Sequence, residues 1–304
     1  MAYAVRPQDF ETWCARLFLA PRIVLEERRT GGDSTAVRDK FIPVQVRYWP
    51  EFLNCVQSWK MTMMGIGVGN APFPPVFDSD RDVIGSEPEA STSLNNDFFK
   101  SVNKFNYNVR HILHPHDHAI SDATRVIAVP TVGLGVYSNP DRVICDGSSR
   151  ELKVGIGEIK APWVLETAGA MAFVNRLPIE HFGEDFVAVT PWRDIQRNVG
   201  KGLTQLYHDM IMDGMTVGFL ATTEVFFFCL INPEDRTDLR VFTLKVHRAD
   251  VPRNGPSPPF TVQMGLATLA WMGRVNFSQP KPMPEDLETW SNHPAVKERS
   301  LMHQ

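Results

Sequence analysis

Apolar positions along this chain change period as it proceeds. Near the start, Phe10, Trp13, Cys14, Leu17 and Phe18 recur at i, i+3, i+4, the spacing of one face of an amphipathic helix, so residues 1 to about 70 are expected to form a packed helical subdomain. The stretch from Ala71 to Asn96 is different: Pro72, Pro74 and Pro75 precede an acidic, serine-bearing run (Asp78, Asp80, Asp82, Glu87, Glu89), which reads as a long loop. Helical period returns through Phe98, Val102, Phe105, Val109 and Ile112, predicting a helix over Asn95 to Leu113. From Arg125 the period shortens. Apolar and β-branched runs at Arg125–Val129, Val132–Tyr137, Arg142–Cys145 and Leu152–Lys160 predict strands, with Asp146-Gly147 suited to a tight turn between the last two. A further helix is expected to start near Pro191 with Thr190 as its cap, burying Ile195, Val199, Leu203, Leu206 and Met210. Strands at Val217–Ala221, Glu224–Ile231 and Leu239–Val246 follow.

This order of helix, meandering strands, helix and strands predicts an α/β fold: a mixed central sheet flanked by helices, with an N-terminal helical extension. The expected division is a helical part over 1–94, including the loop at 71–96, a core domain over 95–275 and a polar tail over 276–304.

Composition narrows the function classes. With 43% hydrophobic and 22% charged residues the chain can bury a sizeable core. Its opening residues lack a basic segment followed by an apolar one, and its longest apolar run, Val225 to Ile231, is far too short to span a bilayer. An intracellular protein, cytoplasmic or nuclear and without membrane association, is expected. The four cysteines are scattered without CxxC pairing, which argues against a zinc or redox motif. A net charge of -4 excludes nucleic-acid binding by bulk electrostatics, so any phosphate recognition must be local.

The candidate chemistry lies between the third and fourth predicted strands of the core. Pro140-Asp141 opens one, and after sixteen intervening residues Glu158-Ile159-Lys160 closes the other. Residues i and i+2 of a strand share a face, so Glu158 and Lys160 project together while Ile159 turns to the core. A hairpin through Asp146-Gly147 would bring Asp141 beside them. Two converging carboxylates supply the hard oxygen ligands preferred by Mg²⁺ or Mn²⁺, and a neighbouring ammonium can orient a nucleophile or neutralise a phosphate. The opposing expectation is a surface hairpin whose charges face solvent.

Pro140-Asp141 and Glu158-Ile159-Lys160 on a strand pair, then Gln205-Leu206-Tyr207 on a helix and the strands from Asp213 to Phe228, resemble the PD-(D/E)XK restriction-endonuclease-like superfamily, particularly its fungal and Crinkler-type members. The resemblance covers under half of the chain and leaves out the residues before Asn95. It implies a restriction-endonuclease-like core and a metal-dependent nuclease acting on nucleic acid, with DNA favoured over RNA. It further implies catalytic roles for Asp141, Glu158, Lys160 and Gln205, and metal ligation by Asp141, Glu158 and the backbone carbonyl of Ile159. The family's tyrosine four residues after the helix glutamine is replaced here by Asp209, with Tyr207 two residues after it instead. Asp97 is the nearest candidate for the acid of the family's first helix.

Arg193, Arg197, Lys201 and Gln205 follow at intervals of four, a basic stripe that could track a nucleic-acid backbone or be an ordinary solvated helix face. His114-Pro115-His116-Asp117-His118 falls one residue short of the HxHxDH signature of metallo-β-lactamase-like hydrolases and is expected to be a polar loop. The glycines from Gly65 to Gly69 do not fit a nucleotide loop. Trp163 and Trp192 could stack on bases, though packing is the commoner role. The other class of function left open is a catalytically silent interaction module, an effector or scaffold that binds nucleic acid or a protein partner, the latter through the N-terminal helices.

Overall fold

The computed structural model of the protein describes residues 9–15, 22–23, 40–68, 83–84, 87–113, 125–128, 140–145, 153–182, 194–246 and 259–275. Their helices are α1 (Phe10–Ala15), α2 (Phe52–Gly65), α3 (Glu87–Leu94), α4 (Lys100–Leu113), α5 (Thr167–Val174), α6 (Asp194–Met212) and α7 (Val262–Val275); a π-helical turn over Asn95–Phe99 joins α3 to α4. The strands are β1 (Arg22–Ile23), β2 (Gln45–Tyr48), β3 (Val83–Ile84), β4 (Arg125–Ala128), β5 (Arg142–Cys145), β6 (Lys153–Ile159), β7 (Val217–Ala221), β8 (Val225–Ile231) and β9 (Asp238–Lys245). None of these helices is long and apolar enough to cross a membrane.

β1 and β3 form a small parallel pair, and the other strands form one mixed sheet in the order β2-β9-β8-β7-β6-β5-β4. The run β4-β5-β6 is an antiparallel meander. β6 and β7 are parallel, which requires the crossover that carries α5 and α6. β7, β8 and β9 are again antiparallel, and β2 adds to β9 in parallel. The expected α/β fold with a mixed sheet and packed helices is therefore present.

Helices cover both faces of the sheet. On one, aromatic side chains of α1, α2 and α4 meet those of the sheet and α7 in a core built around Phe10, Trp13, Trp59, Phe105, Phe219 and Phe228. Trp13 stacks on Phe105 at 4.4 Å and donates its indole N–H to Ser101 Oγ at 3.0 Å, so its one polar atom is satisfied in the interior. On the other face, α5 and α6 press Phe173, Leu203, Leu206, Tyr207 and Met210 against Ile156, Leu220 and Phe227.

Two glycines permit the close fit. A Cβ on Gly157 would lie 2.2 Å from the Phe219 ring, and one on Gly273 would lie 2.1 Å from the Val154 carbonyl. Val154 is the extra residue of a β-bulge, where Ile144 pairs with Gly155 but Cys145 with Lys153. The bulge sets the parity of the rest of β6: beyond it Gly155, Gly157 and Ile159 face the aromatic layer, and Ile156, Glu158 and Lys160 face α6.

Several expectations are corrected. Glu87–Leu94 is helical where a loop was expected, because Ser93 and Leu94 are buried at the head of the apolar face that continues through Phe98, Phe99, Val102 and Phe105. Gln45–Tyr48, expected to be helical, is a strand, held by its ladder to β9 and by reciprocal backbone hydrogen bonds between Val46 and Ile179. The sheet thus draws on both sides of the division expected at residue 94. α5 and α7 had no predicted counterpart. Val132–Tyr137, the Asp146-Gly147 turn, the run from His114 to His118, the helix start at Thr190 and Pro191, Trp192, Arg193 and the tail at 276–304 lie outside the described residues.

Candidate active site

Three elements bring the candidate residues together. The β5–β6 ladder pairs Arg142 with Gly157, which sets Asp141 opposite Glu158. Asp141 Oδ2 accepts the backbone N–H of Ile159 at 2.8 Å, so the carboxylate is turned onto the Glu158-Ile159-Lys160 segment. The backbone of Asp141 is itself fixed, because the Arg142 guanidinium donates to the Asp141 carbonyl and to Ser91 Oγ, both at 2.7 Å. Ile159 is buried in the aromatic layer, as strand alternation predicts, leaving Glu158 and Lys160 on the α6 side.

α6 supplies the third wall. Lys160 Nζ donates to Glu158 Oε1 at 2.6 Å and to Gln205 Oε1 at 3.0 Å, bridging strand and helix. Lys160 thus links Glu158 to Gln205, and Asp141 joins the same segment through the Ile159 N–H. The alternative of a solvated hairpin is excluded for Glu158 and Lys160, which are 1% and 5% exposed.

Burying two charges is costly unless their hydrogen bonds are complete, and here they are not. Glu158 Oε2 is buried and has no partner. Burial is the main reason the Glu158 carboxyl is pushed up to about 8; Asp141 and Asp209 push the same way, and Lys160 opposes them.

Asp209, noted in the sequence only as a departure from the family's tyrosine, is a further residue beside the site. One turn beyond Gln205, it shares the Gln205 stripe of α6, and its side chain is 1% exposed with Oδ2 unpartnered. Burial lifts its carboxyl to about 6, helped by Asp213 and Asp141 and opposed by Lys40 and Lys160. The i+4 spacing from Gln205 was the available signal. Tyr207 takes no part: it is fully buried in the α6 layer and its hydroxyl donates to the Arg236 carbonyl at 2.6 Å. Nearby, the buried Lys153 and Asp213 form an ion pair that ties the bulged start of β6 to the end of α6.

Lys201 lies one turn before Gln205 and is half-buried, and Arg197 precedes it by another turn, so the register of the basic stripe is kept in α6. Asp97 falls in the π-helical turn. Trp163, half-buried, follows the end of β6.

Among the described residues, no three His, Cys, Asp or Glu side chains converge on a common ion position. A metal here would rest on Asp141 and Glu158, with other oxygens completing its shell; Mg²⁺ in particular commonly binds through one or two carboxylates and keeps several waters. The unpartnered Glu158 oxygen and the hard-oxygen character of the pair fit such an ion. Comparison of the chain with protein-family profiles, with curated protein sequences and with solved structures finds no match in any of the three.

Proposed function

We propose that the protein is a metal-dependent nuclease with a restriction-endonuclease-like core, hydrolysing phosphodiester bonds of nucleic acid, DNA rather than RNA. The observation that carries this reading is the buried Glu158–Lys160 pair, bonded through Lys160 to the half-buried Gln205 and flanked by the half-buried Asp141 on the Ile159 N–H, at the junction of β5, β6 and α6. The order of elements agrees with such a core: α4, the β4-β5-β6 meander, the α6 crossover and the parallel β7. A surface charge cluster would not bury Glu158 and Lys160 to this degree, and a purely structural ion pair would not leave Glu158 Oε2 without a partner.

In this reading Asp141 and Glu158 hold Mg²⁺ or Mn²⁺, together with the backbone carbonyl of Ile159. The ion, when bound, supplies Lewis-acid polarisation of the phosphoryl group. Asp141 is oriented for its part by the Ile159 N–H. Lys160, held between Glu158 and Gln205, presents an ammonium close to the scissile phosphate, where it orients the attacking water and offsets charge that grows in the transition state. Gln205 keeps Lys160 aligned from the helix side and leaves the ammonium one further donor. Arg197 and Lys201 continue the same helix stripe as contacts for the nucleic-acid backbone, and Arg193, outside the described residues, is proposed for the same role from the sequence alone.

The test is cleavage of single- and double-stranded DNA and RNA with Mg²⁺ or Mn²⁺, for wild type, wild type with chelator, and Glu158→Gln. Glu158→Gln preserves the size of the side chain and an acceptor for Lys160. The expected result is metal-dependent cleavage that falls by about 10²–10³-fold or more in the variant, the scale for losing a group that stabilises the transition state. A folded wild type that cuts no substrate, or a variant that cuts equally well, rejects the reading.

A further inference from the structure

Lys40 precedes β2, in the part of the chain that the family resemblance leaves out. Its Nζ lies 3.9 Å from Asp209 Oδ1, too far for a hydrogen bond, and the side chain is 22% exposed against 1% for Asp209. Its position is nonetheless built. The neighbouring Phe41 donates its backbone N–H to His208 Nδ1 at 3.1 Å, and the two rings lie 5.3 Å apart, which pins this segment to α6 beside Asp209.

The Lys40–Asp209 pair makes poor sense as a stabilising contact. An ion pair without a hydrogen bond returns little of the cost of burying the carboxylate, and a neutral side chain of the same shape would serve the fold at least as well. The pair makes better sense as a cation aimed from below. Asp209 is buried on α6 one turn past Gln205, which itself bonds Lys160, so an ammonium 3.9 Å from Asp209 stands beside the helix stripe that lines the site. An ammonium has three donors, and Lys40 is near enough to solvent to turn them toward an anion.

We infer that Lys40 is a substrate-binding residue of this site, a contact for a nucleic-acid phosphate next to the reacting one, with Asp209 and the Phe41–His208 contact as its positioning elements. The inference rests on the nuclease reading and deepens it: the segment before β2 contributes to the site, so the functional unit is larger than the nuclease-like core. A phosphate contact of this kind carries no base information, so Lys40 acts equally on all sequences.

The test measures binding of a short fluorescent DNA duplex, and of its single strand, as a function of salt, using the full chain in Ca²⁺ with the probe recovered intact. Wild type, Lys40→Gln and Lys40→Arg are compared, each with its melting temperature. Loss of one phosphate contact lowers the slope of log affinity against log salt by about 0.9 on duplex and about 0.7 on single strand. The expected result is that reduction in Lys40→Gln, uniform across probe sequences, with the slope restored in Lys40→Arg and melting unchanged in both. Unchanged affinity and slope in Lys40→Gln, with wild type binding, overturns the inference while leaving the nuclease reading to its own cleavage test. A wild type that binds neither probe also overturns it, and the nuclease reading falls too only if the cleavage panel is blank.

Discussion

The two faces of the sheet are built on opposite terms. The layer of α1, α2, α4 and α7 is aromatic: Phe10, Trp13, Trp59 and Phe105 pack ring against ring, and the polar atom of Trp13 has its partner in Ser101. The layer of α5 and α6 is equally buried, yet it encloses Glu158, Lys160, Asp209 and Asp213, and Glu158 and Asp209 each have a carboxylate oxygen with no hydrogen bond. The first face lowers the free energy of the fold by burying apolar surface. The second holds groups whose charged forms its own burial disfavours. Such an arrangement persists where the rest of the structure supports it, and strongly perturbed titratable groups of this kind concentrate at functional sites.

The largest effect that would sharpen this contrast is on the aromatic face. Trp13→Ala removes a side chain that is 1% exposed and stacked on Phe105, and should cost about 3–5 kcal/mol in denaturant unfolding. A loss under about 1 kcal/mol would mean that α1 is not part of the core. Gly157→Ala lies at the boundary of the two faces, beside Glu158. Its Cβ would meet the Phe219 ring at 2.2 Å, and the overpacking should cost about 1–3 kcal/mol. If the variant is as stable as wild type, the ring has room to move and β6 is not tightly set against Phe219.

On the polar face the expected effect is smaller and depends on pH. The Glu158 carboxyl is raised by burial from 4.5 in the unfolded chain to about 8 in the fold. The native state therefore binds more protons than the unfolded state between those values. Its contribution is fully present below about 4.5 and is lost as pH rises through about 8. Glu158→Gln cannot lose it. The stability difference between variant and wild type, without metal, should move in the variant's favour across that window and level off outside it. A difference flat with pH would show that Glu158 is not buried as a raised carboxyl, and the contrast between the faces would fail. Asp209→Asn should behave alike over the narrower range from 3.8 to about 6.

Much of the sheet was legible in the chain, for a physical reason. β5 to β9 carry short apolar runs broken by turn residues, and period-2 alternation placed Glu158 and Lys160 on one face with Ile159 opposite, whatever the surrounding fold. α6 was legible because one stripe is apolar and the other polar. α7 was not: from Val262 to Met272 most of its residues are buried, so no polar stripe marks its period. β2 was missed because four residues hold their extended form only through the β9 ladder and the Ile179 bridge. α3 was hidden by an acidic, proline-flanked composition that outweighs the short buried end at Ser93 and Leu94.

The site divides the same way. Local geometry alone determined which residues of β6 share a face, because the pleat has a fixed period. Which residues of distant segments join them depended on tertiary structure. The bulge at Val154 and the seating of α6 decided that Gln205 meets Lys160 while Tyr207 turns away. The pinning of Phe41 to His208 brought Lys40 across 169 positions of sequence to Asp209. Periodicity is a property of a segment, whereas burial, and with it the shifted ionisation of Glu158 and Asp209, belongs to the assembled protein.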